Sequence, residues 1–294
     1  MQRHTLNLLP SYSVKGWCRM EIIGQINNKK LIDIWRQDKS TPSFIIITGE
    51  KGSGKATLAR YIALHGVKGH IVLAENSVDS VRDIIETAYK CVAPTTYIFC
   101  NTDRMSAQAK NALLKVTEEP PQKAYFVMTV ESMDNTLATL KSRGTELKVE
   151  SYTREELMSF TKNEKILEVA NNPGQALELE SIDFDAFYKY CRSVLDNIGT
   201  VTGVNALKIG NAFKFKEEGE GYNPVLFLNC LMTICSDMQI RERDSLRTSL
   251  FVNYALSSMA CIKYKNELQI TGVKKDSTFD MFVLEMRDIW KEED

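Results

Sequence analysis

Residues 43–55 read Ser-Phe-Ile-Ile-Ile-Thr-Gly-Glu-Lys-Gly-Ser-Gly-Lys. Ser43–Thr48 is apolar without polar alternation, which predicts a strand buried on both faces, as inside a parallel sheet. The turn after it has the spacing Gly49-x-x-x-x-Gly54-Lys55 and runs into a helical pattern. Glycines at 49, 52 and 54 let a backbone wrap a phosphate, with amide N–H groups pointing inward and a helix N-terminus adding positive potential. Ser53 lies inside this loop, and Lys55 is placed to reach terminal phosphates. A glycine-rich strand-to-helix turn with no ligand is the alternative. The complete spacing in a strand–loop–helix setting favours the phosphate loop.

The next position departs from the pattern. Holding Mg²⁺ needs a Ser or Thr hydroxyl there, and this chain has Ala56. Thr57 is one residue late, which turns its hydroxyl about 100° away on a helix. Hydrolysis also needs an acidic residue at the tip of a nearby strand. The candidate strand, Tyr97-Ile98-Phe99, runs into Cys100-Asn101-Thr102-Asp103, so the nearest carboxylate, Asp103, falls on the following turn. These residues suit a bound nucleotide better than Mg²⁺-dependent hydrolysis.

Outward from the loop, strand signals recur at His70–Ala74, Tyr97–Cys100, Tyr125–Thr129 and Glu146–Val149, with helical patterns near 54–66, 78–90 and 105–118 between them. This alternation predicts a parallel sheet with right-handed crossovers and helices on both faces. Pro120-Pro121 stops the third helical pattern. Beyond about residue 150 strand signals vanish. Short helical patterns cover Thr153–Phe160 and Glu164–Asn171, and longer ones Phe184–Asn197, Pro224–Arg241 and Leu246–Ile262. Phe279, Phe282, Val283, Met286 and Trp290 mark one face of a last helix. Lys216–Asn223 reads as a loop or a disordered tip. The expected organisation is an N-terminal extension (1–19), an α/β domain (20–152), a small helical lid (153–184) and an all-helical domain (185–294).

The chain has 294 residues, 44% hydrophobic and 26% charged, which excludes a disordered tail, a collagen-like chain and a disulfide scaffold. No apolar run reaches the ~18 residues of a membrane span. Basic and acidic residues number 37 and 38, so no strong footprint for nucleic acid exists. Residues 153–294 carry 17 basic and 23 acidic residues, an excess that suits protein contacts better than DNA. Lysines 29, 30, 51 and 68 read as solvated. Seven cysteines without a C-x-x-C pair argue against zinc and a disulfide framework, and for a reducing cytoplasm. The histidines at 4, 65 and 70 have no ligand spacing.

Four segments carry a resemblance. Ile22-Ile23-Gly24-Gln25, the phosphate loop, the run Asp103-Arg104-Met105-Ser106 through Asn111-Ala112-Leu113-Leu114-Lys115 to Glu118-Glu119-Pro120-Pro121, and Thr139-Leu140-Lys141-Ser142-Arg143-Gly144 together resemble the AAA+ clamp-loader subunits of DNA replication, the delta-prime type in particular. The run at 103–121 is the most specific of them. The resemblance covers residues 20–180. It implies a nucleotide site formed by Ile23, Gly49, Gly52, Ser53, Gly54, Lys55, Ala56 and Thr57, with the backbone near Ile23 beside the adenine. It also implies that Arg143 reaches into a neighbouring subunit's ATP site as an arginine finger. Residues 185–294 would then be the collar by which subunits assemble.

Against that pattern, Cys100 and Asn101 replace the acidic pair, Gln175 replaces a nucleotide-sensing arginine in the lid, and Gly144 replaces a cysteine. Thr129 stands where the family senses the terminal phosphate. The family's zinc-binding cysteine module is absent. The resemblance and its departures together imply a non-hydrolysing subunit that holds ATP or ADP without turnover, with no zinc and an undecided place for Mg²⁺. Its implied partners are AAA+ ATPase subunits of a clamp loader, a sliding clamp, and primer–template DNA through the assembly, with no membrane. Two other readings stay open: an active AAA+ ATPase using Thr57 and Asp103, and an AAA+-derived regulatory protein outside replication.

Overall fold

Phe44–Thr48 forms β1, and all five of its residues are buried. In this computed structural model, which describes residues 21–211, 223–242, 248–268, 270 and 273–291, β1 is enclosed by parallel neighbours on both sides. The expected N-terminal extension and most of the expected 216–223 loop lie outside the described residues. The chain divides into two compact units, one up to Glu156 and one from Leu157 onward.

The first unit runs α1 (Ile26–Gln37), β1, α2 (Lys55–Tyr61), β2 (His70–Ala74), α3 (Val78–Tyr89), β3 (Thr95–Phe99), α4 (Ala107–Glu118), β4 (Ala124–Val130), α5 (Ala138–Lys141) and β5 (Thr145–Lys148). All five strands are parallel, in the order β2-β3-β4-β1-β5. Alternation along each strand sends side chains to opposite faces. Phe44, Ile46, Tyr97, Phe99, Phe126 and Met128 face one core with Val81 and Ile84 of α3 and Leu113 and Val116 of α4. Ile45, Ile47, Ile98, Val127 and Leu147 face a second core with Ile32 and Trp35 of α1 and Leu58 of α2. The apolar run at 43–48 is thus explained: both faces of the strand meet helices.

Local chemistry sets the helix ends. The hydroxyls of Ser77 and Ser106 accept from the backbone N–H of Ser80 and Ala109, capping α3 and α4. α4 stops at Glu118, ahead of the two prolines. The helical pattern at 54–66 is regular only to Tyr61. It then widens into a π-helical stretch, Ile62–Val67, that ends with Lys68 N–H on Ala63 O at 2.9 Å. α1 gave no separate signal in the sequence reading, and the pattern at 153–160 is helical only over α6 (Arg154–Leu157).

The second unit contains α7 (Glu164–Val169), α8 (Pro173–Glu180), α9 (Phe184–Asn197), α10 (Gly203–Asn211), α11 (Pro224–Glu242), α12 (Thr248–Leu268) and α13 (Lys275–Trp290). One core joins α7 and α8 (Ile166, Val169, Ala176, Leu179) to Phe187, Cys191 and Leu195 of α9, Phe227 and Leu231 of α11, Tyr264 of α12 and Phe279 and Phe282 of α13. Gly199 is forced by close packing, because a Cβ there would lie 2.0 Å from Trp290 O. Gly199→Ala should therefore destabilise this unit by about 1–3 kcal/mol, read as a lower urea midpoint in circular dichroism. An unchanged midpoint would show that the contact relaxes.

Candidate functional site: the phosphate loop and the strand tips

The loop takes its shape from glycine backbone conformations and from Lys55. Gly52 and Gly54 adopt φ 84 and 91°, conformations that favour glycine. Lys55 is buried and folds over the loop, donating from Nζ to Gly49 O at 2.7 Å and Glu50 O at 2.8 Å. An ammonium has three donors, so one remains for an anion. Burial lowers the Lys55 pKa, opposed by the negative charges of Glu131, Asp103 and Glu50. The Ser53 hydroxyl is buried with no hydrogen-bond partner, a group that a phosphate oxygen would satisfy. Tyr152 donates its hydroxyl to Ser53 O at 3.0 Å and fastens the loop from the far side. The loop thus fits a phosphate.

Ile23 lies half-buried in a segment that a polar clamp fixes to the end of β5. Gln25, at φ 56°, donates from Nε2 to Glu150 O at 3.0 Å and accepts from Glu150 N–H at 2.9 Å. Asn28 closes the clamp through Gln25 Oε1 at 2.8 Å and Lys148 O at 3.0 Å. Lys29, expected in solvent, donates to Ile22 O. Gly24, at φ 66°, leaves room for the Glu156 carboxylate, which a Cβ would approach to 2.9 Å.

The strand tips are built differently from a metal site. Ala56 offers no oxygen, and Thr57 is half-buried on α2. Asn101, at φ 54°, gives its backbone N–H to Thr129 Oγ1 at 2.9 Å, and Thr102 Oγ1 donates to Thr129 O at 3.2 Å. Thr129 therefore ties the end of β3 to β4. Both Asp103 oxygens accept from Glu131 N–H, at 3.0 and 3.1 Å, and one accepts from Asn135 Nδ2 at 2.8 Å. Lys110, buried on α4, donates to Asn135 O at 2.9 Å. Desolvation lowers the Lys110 pKa, and Asp103 opposes the shift. Burial pushes the Cys100 thiol up, away from the thiolate that a metal would need. Asn76 donates to Cys100 O at 2.8 Å. Asp103 is thus spent on backbone and amide donors, and this donor set does not fit Mg²⁺. Among the described residues no cluster of three or more metal-ligating side chains occurs.

Arg143 lies beyond α5, apart from the loop residues in sequence, with its side chain 31% exposed. Its Nη1 donates to Thr139 O and its Nη2 to Glu118 Oε1, each at 2.6 Å. Gly144 is demanded by packing, since a Cβ there would come within 2.6 Å of Ile46 Cδ1. In the second unit Gln175 is buried, and its Oε1 accepts from Asn171 N–H at 2.8 Å and Asn229 Nδ2 at 3.2 Å. The sequence reading missed the Gln25–Glu150 clamp, the Tyr152 fastening, the Asp103–Lys110–Asn135 network and the Glu118–Arg143 pair. Only the last had a signal, in that both residues belong to the quoted motif segments.

A phosphate loop after the first strand of a β2-β3-β4-β1-β5 parallel sheet, followed by an all-helical region, defines an AAA+ type of P-loop protein. Residues 74–153 match the family model described as DNA polymerase III, delta subunit. Two curated relatives, DNA polymerase III subunit gamma from two strains of Buchnera aphidicola, subsp. Schizaphis graminum and subsp. Acyrthosiphon pisum, are each 24% identical over 40% of this chain. The chain spans 41% of the length of these relatives. A solved DNA polymerase III gamma subunit-related protein of Thermotoga maritima is 17% identical, with a TM-score of 0.47 over 90% of this chain and 99% of its own. A variant of Thermotoga maritima RuvB is 20% identical, with a TM-score of 0.49 over 71% of this chain and 88% of its own. Over residues 74–153 the chain is thus similar to the DNA polymerase III delta-subunit family. No described helix is long and apolar enough to cross a membrane.

If Asp103 serves the fold, Asp103→Ala leaves Glu131 N–H and Asn135 without an acceptor, at a cost of about 1–3 kcal/mol. The melting temperature should fall by several degrees, equally with Mg²⁺ and with EDTA. A loss confined to the Mg²⁺ sample would return Asp103 to the role of metal ligand.

Proposed function

We propose that this chain is a non-hydrolysing subunit of a cytoplasmic clamp loader. It assembles with AAA+ ATPase subunits, holds ATP or ADP without turnover, and presents Arg143 to a neighbour's ATP. The assembly would place a sliding clamp on primer–template DNA. The observation that carries this reading is the contrast between the two ends of the site. The phosphate loop is intact, with Lys55 and the unpartnered Ser53 hydroxyl lining it. The groups that would bind Mg²⁺ are missing at Ala56 and, at Asp103, turned to the fold.

Nucleotide would be held by the loop amides, Ser53 and Lys55, which bind phosphate and do not activate water. Arg143 is the group that can act outside its own site. A guanidinium placed on a transferring phosphoryl group neutralises developing charge and is worth roughly 10³–10⁵ in rate in NTPases that use one. The helical unit supports assembly. Val252, Leu256 and Met259, with Phe251 and Ile262 beside them, form an exposed apolar face along α12. Exposed apolar patches of this kind mark protein contacts.

The test begins with the tagged chain purified from its own host and the MgATP turnover of what accompanies it. Arg143→Ala should cut that turnover by at least about 10³-fold while leaving the assembly intact. Leu256→Glu with Met259→Glu should release the partners. The chain alone should bind a fluorescent ATP analogue equally in Mg²⁺ and EDTA and hydrolyse none. Lys55→Ala should weaken that binding by about tenfold or more. Hydrolysis by the chain alone, abolished by Lys55→Ala, would establish an active ATPase instead.

A further inference from the structure

Arg143 does not extend freely from the surface. Its backbone is fixed: Arg143 N–H and Gly144 N–H both donate to Leu140 O, at 3.2 and 3.0 Å, and Gly144 packs against Ile46. The side chain then folds back over its own turn. One end of the guanidinium donates to Thr139 O, four residues earlier, and the other pairs with Glu118 Oε1, each at 2.6 Å. A guanidinium held at both ends on its own chain must let go to reach anything else.

Glu118 is the last residue of α4, fixed by the helix stop before Pro120-Pro121. A carboxylate at a helix C-terminus is disfavoured by the helix dipole, and the arginine offsets that. The pair is 31% exposed on the arginine side and 50% on the glutamate side. Ion pairs this exposed contribute little to stability, so the pair does not hold the fold together. It does set where the guanidinium rests.

We propose that Glu118 is a latch that holds Arg143 parked on its own subunit until a neighbour's triphosphate displaces it. The inference rests on the arginine-finger reading above and adds a regulating residue to it. A single carboxylate offers one negative charge. A nucleotide triphosphate offers more charge and several acceptor oxygens suited to the planar guanidinium fork, and so wins the exchange. A weak surface pair is the right strength for this task. At up to ~1 kcal/mol it restrains the free arginine by a factor of up to about five and yields readily to phosphate.

The experiment compares the wild-type chain with E118Q, R143A and the double variant, each purified from the host with its partners. MgATP turnover is measured over a range of ATP concentrations, and thermal melting of each chain checks folding. E118Q should raise turnover up to about fivefold, mostly below saturation, and should change nothing when R143A is present. In the isolated chain, NMR of the Arg143 side chain should show restrained guanidinium rotation that E118Q releases. Turnover lowered by E118Q would make Glu118 a positioning group and overturn the latch. Turnover unchanged by E118Q but cut by R143A would also overturn it while leaving the finger in place. No ATPase partner, or no effect of R143A, would overturn the finger and the latch with it.

Discussion

Everything in the α/β unit hangs on the burial of β1 on both faces. Its side chains alternate between two cores, one built with α3 and α4, the other with α1 and α2. A strand so enclosed can leave the sheet only at its end. There Gly49 begins the turn that carries Lys55 back over its own carbonyls. The phosphate loop is therefore a consequence of the sheet. Its position is set by apolar packing, and its shape by glycines at conformations other residues resist.

The neighbouring strand tips show the same scaffold put to another use. Thr129 bonds Asn101 and Thr102 at the end of β3, and beside it Asp103, Asn135 and Lys110 form a network that joins the turn after β3 to Glu131 after β4 and to α4. Buried polar groups are costly when unpaired and specify a single arrangement when every member is satisfied. The Asp103 carboxylate accepts from two donors, the Glu131 N–H shared between its oxygens and the Asn135 amide. These side chains thus tie together the C-terminal ends of β3 and β4, two interior strands of the sheet.

The helical unit is governed by a different balance. Several of its apolar residues lie outward, among them Phe251, Val252, Leu256, Met259 and Ile262 along α12. Inside, four cysteines at 191, 230, 235 and 261 are buried, and burial raises the thiols at 191, 235 and 261. They serve as small packing residues. Gln175 is bonded to Asn171 and Asn229 within this unit. An amide can bridge a backbone N–H and a side-chain amide, which an arginine, having no acceptor, cannot do.

Much of this was written in local sequence. The apolar run at 43–48, the glycine spacing at 49–54 and the serine caps at 77 and 106 each act over a few residues, so strands, loop and helix starts could be read directly. The loss of a hydroxyl at Ala56 was legible for the same reason, since a missing ligand atom needs no neighbours to be missing. What Asp103 does was not legible, because an acid beside a strand tip is a metal ligand or a backbone acceptor according to which groups the fold brings to it. Glu131 and Asn135 are 28 and 32 residues away in the chain. Arg143 was likewise visible as a motif residue, while its resting place on Glu118, 25 residues distant, was not. Residue type and spacing determine what a side chain is able to bind. Its actual partner is chosen by packing, which brings distant segments within hydrogen-bond reach, and that choice exists only once the chain has folded.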